Sequence, residues 1–95
     1  MLTIEDIKKV VAEIAPKYQI TKATLFGSRA RGDNREDSDV DLIFEFETEA
    51  VSLFTLAGIM NDLEEIFGLK VDVIHGPKQD SWLIELDMDI EVYAA

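Results

Sequence analysis

The sequence predicts an α/β (α+β) domain, a small mixed β-sheet flanked by helices. Three observations predict it. Apolar residues recur at helical spacing in two long stretches. Short segments with period-two alternation separate them. Gly, Pro or a capping residue marks most of the changes from one pattern to the other. The predicted order is α-β-α-β-α-β-α-(β), and helices alternating with short strands must cover a sheet to bury both apolar faces.

Thr3 can cap a first helix, on which Ile4, Ile7, Val11 and Ile14 share a face while Glu5, Lys8, Lys9 and Glu13 lie elsewhere. Pro16 or the residues just after it should stop that helix, because proline has no N–H for the helical ladder. Lys22 to Phe26 reads as a first strand running into a tight Gly27-Ser28 turn. One or two helical turns follow to Arg31, with Gly32 as a left-handed stop, and Asp33 to Ser38 is a polar loop. From Asp39 to Glu47 the pattern alternates. Val40, Leu42, Phe44 and Phe46 point one way; Asp39, Asp41, Ile43, Glu45 and Glu47 point the other. Ser52 opens a long amphipathic helix whose stripe is Leu53, Leu56, Met60, Leu63 and Phe67, ended by Gly68. Lys70 to Ile74 is a third strand and His75-Gly76-Pro77 a turn. Ser81 to Met88 reads as a last short helix, and Ile90 to Tyr93 as a final edge strand.

Ninety-five residues, 47% of them hydrophobic, suit one compact core, and the expectation is a single domain over residues 1–95. Nine basic residues against twenty acidic ones give a net charge of −11. That charge repels phosphate backbones and anionic membranes, so neither nucleic acid nor a membrane is the expected partner. There is no cysteine, hence no disulfide framework and no thiolate nucleophile. No apolar run approaches a membrane span, and the early acids Glu5 and Asp6 argue against a signal peptide, so a soluble, cytoplasmic domain is expected. The charge is also unevenly placed. All three arginines fall at Arg29, Arg31 and Arg35, immediately before the acidic cluster Glu36, Asp37, Asp39 and Asp41. Chemistry is expected at that junction.

Asp39 and Asp41, two apart on a predicted strand, would place their carboxylates on one face about 6–7 Å apart at the backbone. Hard oxygen donors at that spacing can share divalent cations, and Mg²⁺ favours carboxylates combined with substrate phosphates. Asp72 would join them if its strand lies alongside. Such a group repels itself unless a cation offsets it. Alone, an Asp-x-Asp pattern is that of a solvated strand end, and Gly-Ser that of an ordinary helix cap. The combination is more specific: a strand, Gly27-Ser28 able to approach phosphate, ten residues, Asp39-x-Asp41 on a second strand, and Asp72 on a third. It is a layout for two-metal phosphoryl or nucleotidyl transfer.

Gly27-Ser28-Arg29-Ala30-Arg31-Gly32, followed by Asp37-Ser38-Asp39-Val40-Asp41-Leu42, resembles the signature of the polymerase β-like nucleotidyltransferase superfamily. Within it the chain is similar to the minimal nucleotidyltransferases, the MNT proteins, over nearly its whole length. The resemblance implies a polymerase β-like nucleotidyltransferase fold. It implies that Gly27 and Ser28 hold a nucleoside triphosphate, that Asp39 and Asp41 ligate two Mg²⁺ ions, and that Asp72 completes the metal site and helps deprotonate the acceptor hydroxyl. Arg29 and Arg31 lie within the motif, Arg31 at its more regular position. Either could pair with phosphate, and either could salt-bridge Asp37 or Glu36. A structural ion pair is favoured for Arg35. Where relatives often carry Pro, this chain has Glu36, so its loop lacks that restraint.

A chain of this length has room for the catalytic core, so a partner protein or a small acceptor is expected to complete the reaction. The resemblance implies the antitoxin half of a pair whose other half is a HEPN-domain ribonuclease toxin, with AMP transferred from ATP to a tyrosine of the toxin. An acidic protein also suits direct masking of a basic one. Two alternatives stand beside this: an antitoxin that neutralises by contact alone, and a nucleotidyltransferase for a small-molecule hydroxyl. Contact alone requires none of Gly27, Ser28, Asp39, Asp41 and Asp72. A homodimer or a hetero-oligomer fits either antitoxin reading. His75, the lone histidine, reads as structural or exposed; Trp82, Leu83 and Leu86 as packing; Tyr93 as a packing anchor. Glu85, Asp87, Asp89 and Glu91 form a solvated face or a docking face for a basic partner.

Overall fold

The computed structural model describes residues 2–48, 50–76 and 89–95. Helix α1 spans Ile4–Tyr18, strand β1 Ile20–Phe26, the short helix α2 Ser28–Arg31, strand β2 Val40–Phe46, helix α3 Leu53–Phe67, strand β3 Val71–His75 and strand β4 Ile90–Ala94. The four strands form one mixed sheet in the order β3-β2-β1-β4. β1 runs antiparallel to β2 and to β4, whereas β2 and β3 are parallel, with α3 as the crossover that parallel pairing requires. The predicted fold class and element order hold for every described element. The predicted last helix, Ser81 to Met88 with Trp82, Leu83 and Leu86, lies outside the described residues, as do Glu85 and Asp87.

The predicted caps are present. Thr3 accepts from the Asp6 N–H and Asp6 accepts from the Thr3 N–H, a reciprocal capping box at the start of α1. Pro16 is accommodated in the last turn of α1, which runs two residues further before Gln19 closes it in a left-handed conformation. Ser52 caps α3 by accepting from the Thr55 N–H, and Gly68 ends it at φ 67°. The capped helices deliver their apolar faces to one side of the sheet. Ile7, Val11 and Ile14 of α1 and Ile59 and Leu63 of α3 pack on Leu25, Val40, Leu42 and Phe44. A hydrogen bond from the Tyr18 hydroxyl to Asp62 (2.5 Å) and an ion pair from Lys17 to Asp62 (3.0 Å) join the two helices at their rim. No helix among the described residues is long and apolar enough to cross a membrane.

Two details differ from expectation. Strand β2 begins at Val40, so Asp39 lies in the extended segment just before it. The buried stripe of α3 is also rotated from the predicted one. Ile59 and Leu63 are fully buried and Leu56, Met60 and Phe67 half-buried, while Leu53 is 82% exposed and Phe54 90% exposed. A seven-residue apolar count does not separate a buried face from its margin when the helix turns every 3.6 residues.

This division yields a stability prediction. Leu63→Ala removes side-chain volume from the fully buried centre and should cost about 2–5 kcal/mol in urea denaturation. Leu53→Ala should stay within about 0.5 kcal/mol. Equal losses would refute the assignment of the buried stripe.

Candidate active site

The site lies on the sheet face opposite α1 and α3, at the end of β1 and the beginning of β2 and β3. Register builds it. Asp41 is paired with Phe26 on one side and with Asp72 on the other, so the three side chains form one row across three strands. The next row, Thr24, Ile43 and Ile74, lies two residues along, and Ile43 packs with Phe26 and Ile74 beneath the carboxylates. The carboxylates therefore stand at the margin of a small apolar patch.

Gly27 follows directly from β1 and has φ 78° and ψ −158°, a conformation that side chains strongly disfavour. A Cβ there would overlap the Asp41 carboxylate oxygen Oδ2. Two constraints thus require glycine at this turn, one of backbone geometry and one of contact. Ser28 opens α2, whose own ladder begins with the Arg31 N–H donating to the Gly27 carbonyl (3.1 Å), and Gly32 ends it at φ 83°. The earlier amides of α2 lie outside that ladder. The Gly-Ser turn is consequently seated against the first carboxylate of β2.

Asp41 and Asp72 stand side by side across β2 and β3, and this shapes the electrostatics. The Asp41 carboxyl is pushed up to about 6, first by burial, then by its hydrogen bond with Asp72 and by the charges of Asp72 and Asp39, against a small opposing pull from Arg31. Asp39 acts on Asp41 through charge alone, in keeping with its place before the strand. Among the described residues no three acidic or histidine side chains already converge as a closed metal cluster. The structure brings Gly27, Ser28, Asp41 and Asp72 together and sets Asp39 beside them.

The arginines sort differently from the sequence reading. Arg31 pairs with Asp33 (Nε to Oδ2, 3.2 Å) rather than with Asp37 or Glu36, in an exposed contact worth little by itself. Its charge nevertheless reaches Asp41. The Arg35 side chain makes no ion pair among the described residues; its backbone N–H donates to the Ser38 hydroxyl (2.7 Å). Arg29, weighed as a phosphate or carboxylate partner, is buried and bonds instead to the backbone carbonyls of Glu36 and Ser38. A contact between a side chain and distant carbonyls leaves no residue pattern by which the sequence could reveal it. His75 is half-buried with its ring edge-on to Phe46 (5.4 Å between centroids), a packing role.

Comparison with known proteins identifies the fold and the family. A family model described as a nucleotidyltransferase domain matches residues 4–93. A chain of Methanocaldococcus jannaschii, provisionally named a protein adenylyltransferase, is 38% identical over 73 residues, covering 77% of each chain. The protein adenylyltransferase MntA of Thermococcus cleftensis is 36% identical over 78 residues, covering 78% of each. A solved minimal nucleotidyltransferase superposes with a TM-score of 0.64 at 32% identity, covering 78% of each chain. The fold is also that of a toxin–antitoxin structure containing AMP-PNP, with a TM-score of 0.76 at 13% identity over 93% of this chain and 73% of the other. The chain belongs to the nucleotidyltransferase family, with a polymerase β-like fold. Within that family it is a minimal nucleotidyltransferase domain, related to the protein adenylyltransferase MntA.

Two predictions follow from the packing of Gly27, Asp41 and Asp72. Gly27→Ala should cost more than about 1 kcal/mol in chemical denaturation, because the left-handed backbone and the Asp41 contact both oppose a Cβ. A change within about 0.5 kcal/mol of zero, as at an ordinary surface position, would disprove the contact. The pH dependence has a definite sign. The folded Asp41 carboxyl titrates near 6, above its ordinary 3.8, so the native state holds the extra proton. Without divalent metal, stability should therefore fall as pH rises from about 4 to about 6. Asp41→Asn should flatten that slope in urea titrations at several pH values.

Proposed function

We propose that this chain transfers the adenylyl group of ATP to a tyrosine hydroxyl of a HEPN-domain toxin, in the cytoplasm, and so acts as its antitoxin. The observation that carries the reading is the seating of the Gly27-Ser28 turn against Asp41, which itself adjoins Asp72. Contact-only neutralisation requires no such arrangement. The acceptor is supported by relatives: MntA of Thermococcus cleftensis is named a protein adenylyltransferase. A structure of similar fold is a tri-AMPylated HEPN toxin of Shewanella oneidensis in complex with its MNT antitoxin. The net charge of −11 suits a basic partner.

The donor set fits Mg²⁺. Asp39, Asp41 and Asp72 offer only hard oxygen ligands, and the crowding that raises the Asp41 carboxyl is relieved by a divalent cation. These three residues would hold two Mg²⁺ ions, whose charge would offset the carboxylates and the triphosphate and stabilise the oxygens that gain charge. Ser28 and the free amides of the turn bind the triphosphate oxygens, and Gly27 allows the approach. Arg31 adds positive charge on the phosphate side. The tyrosine oxygen attacks the α-phosphorus, its bond to the bridging oxygen breaks, and pyrophosphate leaves. Asp72 accepts the hydroxyl proton.

The test is to incubate the protein with Mg²⁺, ATP labelled at the α-phosphate and a HEPN-domain toxin from the same organism, and to measure the intact mass of the toxin. A gain of adenylyl groups on tyrosine is expected, reduced by roughly 10²-fold or more in Asp39→Asn/Asp41→Asn. Unchanged toxin mass, or equal transfer by the double variant, would overturn the proposal. Full neutralisation by the double variant would establish contact alone as the mechanism.

A further inference from the structure

Arg29 is the only charged residue in the buried set among the described residues, 5% exposed, and it has no carboxylate partner there. Buried charges are ordinarily paired with an opposite charge. Here the guanidinium is satisfied by main-chain oxygens. Nη2 donates to the Ser38 carbonyl (3.0 Å) and to the Glu36 carbonyl (3.1 Å), and Nε donates to the Ser38 carbonyl (3.3 Å). Carboxylates are at hand in the same loop, at Glu36 and Asp37, both exposed. The arginine uses the backbone of Glu36 and leaves its side chain to solvent.

The two ends of this contact are the two halves of the site. Arg29 sits on α2, one residue after Ser28. The Ser38 carbonyl belongs to the peptide that links Ser38 to Asp39, two residues before Asp41. At its start the loop is tied to α2 by Asp33, whose N–H donates to the Ser28 carbonyl (3.1 Å); toward Asp39 its other bonds are internal, the Ser38 N–H donating to the Arg35 carbonyl (3.1 Å) and the Arg35 N–H to the Ser38 hydroxyl (2.7 Å). Those bonds shape the loop; the Arg29 bonds tie its carboxylate end back to α2. A planar fork of fixed donors suits this task, since it fixes direction as well as distance, which a lysine ammonium does not.

We infer that Arg29 is a positioning residue that fixes Asp39 relative to the Gly27-Ser28 turn, holding the peptide before the first carboxylate in the geometry that binds a divalent cation. The inference rests on the nucleotidyltransferase reading above. Arg29 touches neither nucleotide nor metal in this account; it acts through Ser38.

The test compares wild type, Arg29→Lys, Arg29→Gln and the loop control Arg35→Ala. Thermal unfolding monitors folding, Mn²⁺ titration followed by electron paramagnetic resonance measures metal binding, and adenylyl transfer is measured across a Mg²⁺ series. Arg29→Gln should bind Mn²⁺ about 10–100-fold more weakly while folded, the range typical of losing a residue that orients a ligand. Its transfer rate should recover partly at high Mg²⁺. Arg29→Lys should fall between it and wild type, and Arg35→Ala should match wild type. A folded Arg29→Gln or Arg29→Lys with wild-type Mn²⁺ affinity and wild-type Mg²⁺ dependence would overturn the inference. If Arg29→Gln does not fold, Arg29→Lys decides. If neither folds, Arg29 serves the fold alone and the positioning role is wrong. Wild type that neither binds Mn²⁺ nor transfers AMP would instead sink the nucleotidyltransferase reading, so the two failures are distinguishable.

Discussion

The close approach of the Gly27 backbone to the Asp41 carboxylate is the constraint on which the site depends. It joins a turn able to meet phosphate to a carboxylate able to meet metal with no space for a side chain between them. The rest of the structure serves that contact. Antiparallel pairing of β1 with β2 brings the end of one strand to the start of the other. The α3 crossover returns β3 parallel to β2 and sets Asp72 beside Asp41. Helices α1 and α3 cover the opposite face of the sheet.

Electrostatics and folding pull in opposite directions here. Burial and two acidic neighbours push the Asp41 carboxyl up to about 6, so the fold carries a site that is strained by charge whenever all its carboxylates ionise. The core on the far side of the sheet supplies the stability that tolerates it. A site of this kind gains most from the cation and substrate that it binds, because binding removes a penalty already present.

Much of this was legible in the sequence because it depends on local patterns. Thr3, Ser52, Gly32 and Gly68 mark helix ends by capping chemistry, and alternation from Val40 onward separates the core face from the acidic one. Period two also placed Asp41 correctly opposite Leu42 and Phe44. What was not legible depends on register and on backbone acceptors. From the residue pattern alone Asp72 joins the site only if β3 lies next to β2, and only the resemblance assigns it there without that pairing. Asp39 falls just outside β2, where alternation gives no warning. Leu53 continues the apolar count of α3 beyond the part that the sheet covers. Arg29 reads in the sequence as a partner for phosphate or for Asp37 or Glu36, whereas its partners are carbonyls, which every residue possesses.

Among the described residues, strand β3 is the outermost strand on its side of the sheet, paired with β2 alone. Its Val71 N–H donates to the Glu64 carboxylate (3.0 Å) of α3, so a side chain closes part of an otherwise open edge. Asp72 follows at once. The third carboxylate therefore rides on a strand with one ladder of hydrogen bonds, whereas Asp41 has a ladder on each side. Edge strands exchange their amides and open locally at lower free energy than central ones. The site is thus built with one firm wall and one compliant wall, and Asp72, the residue proposed to take the acceptor's proton, is on the compliant one.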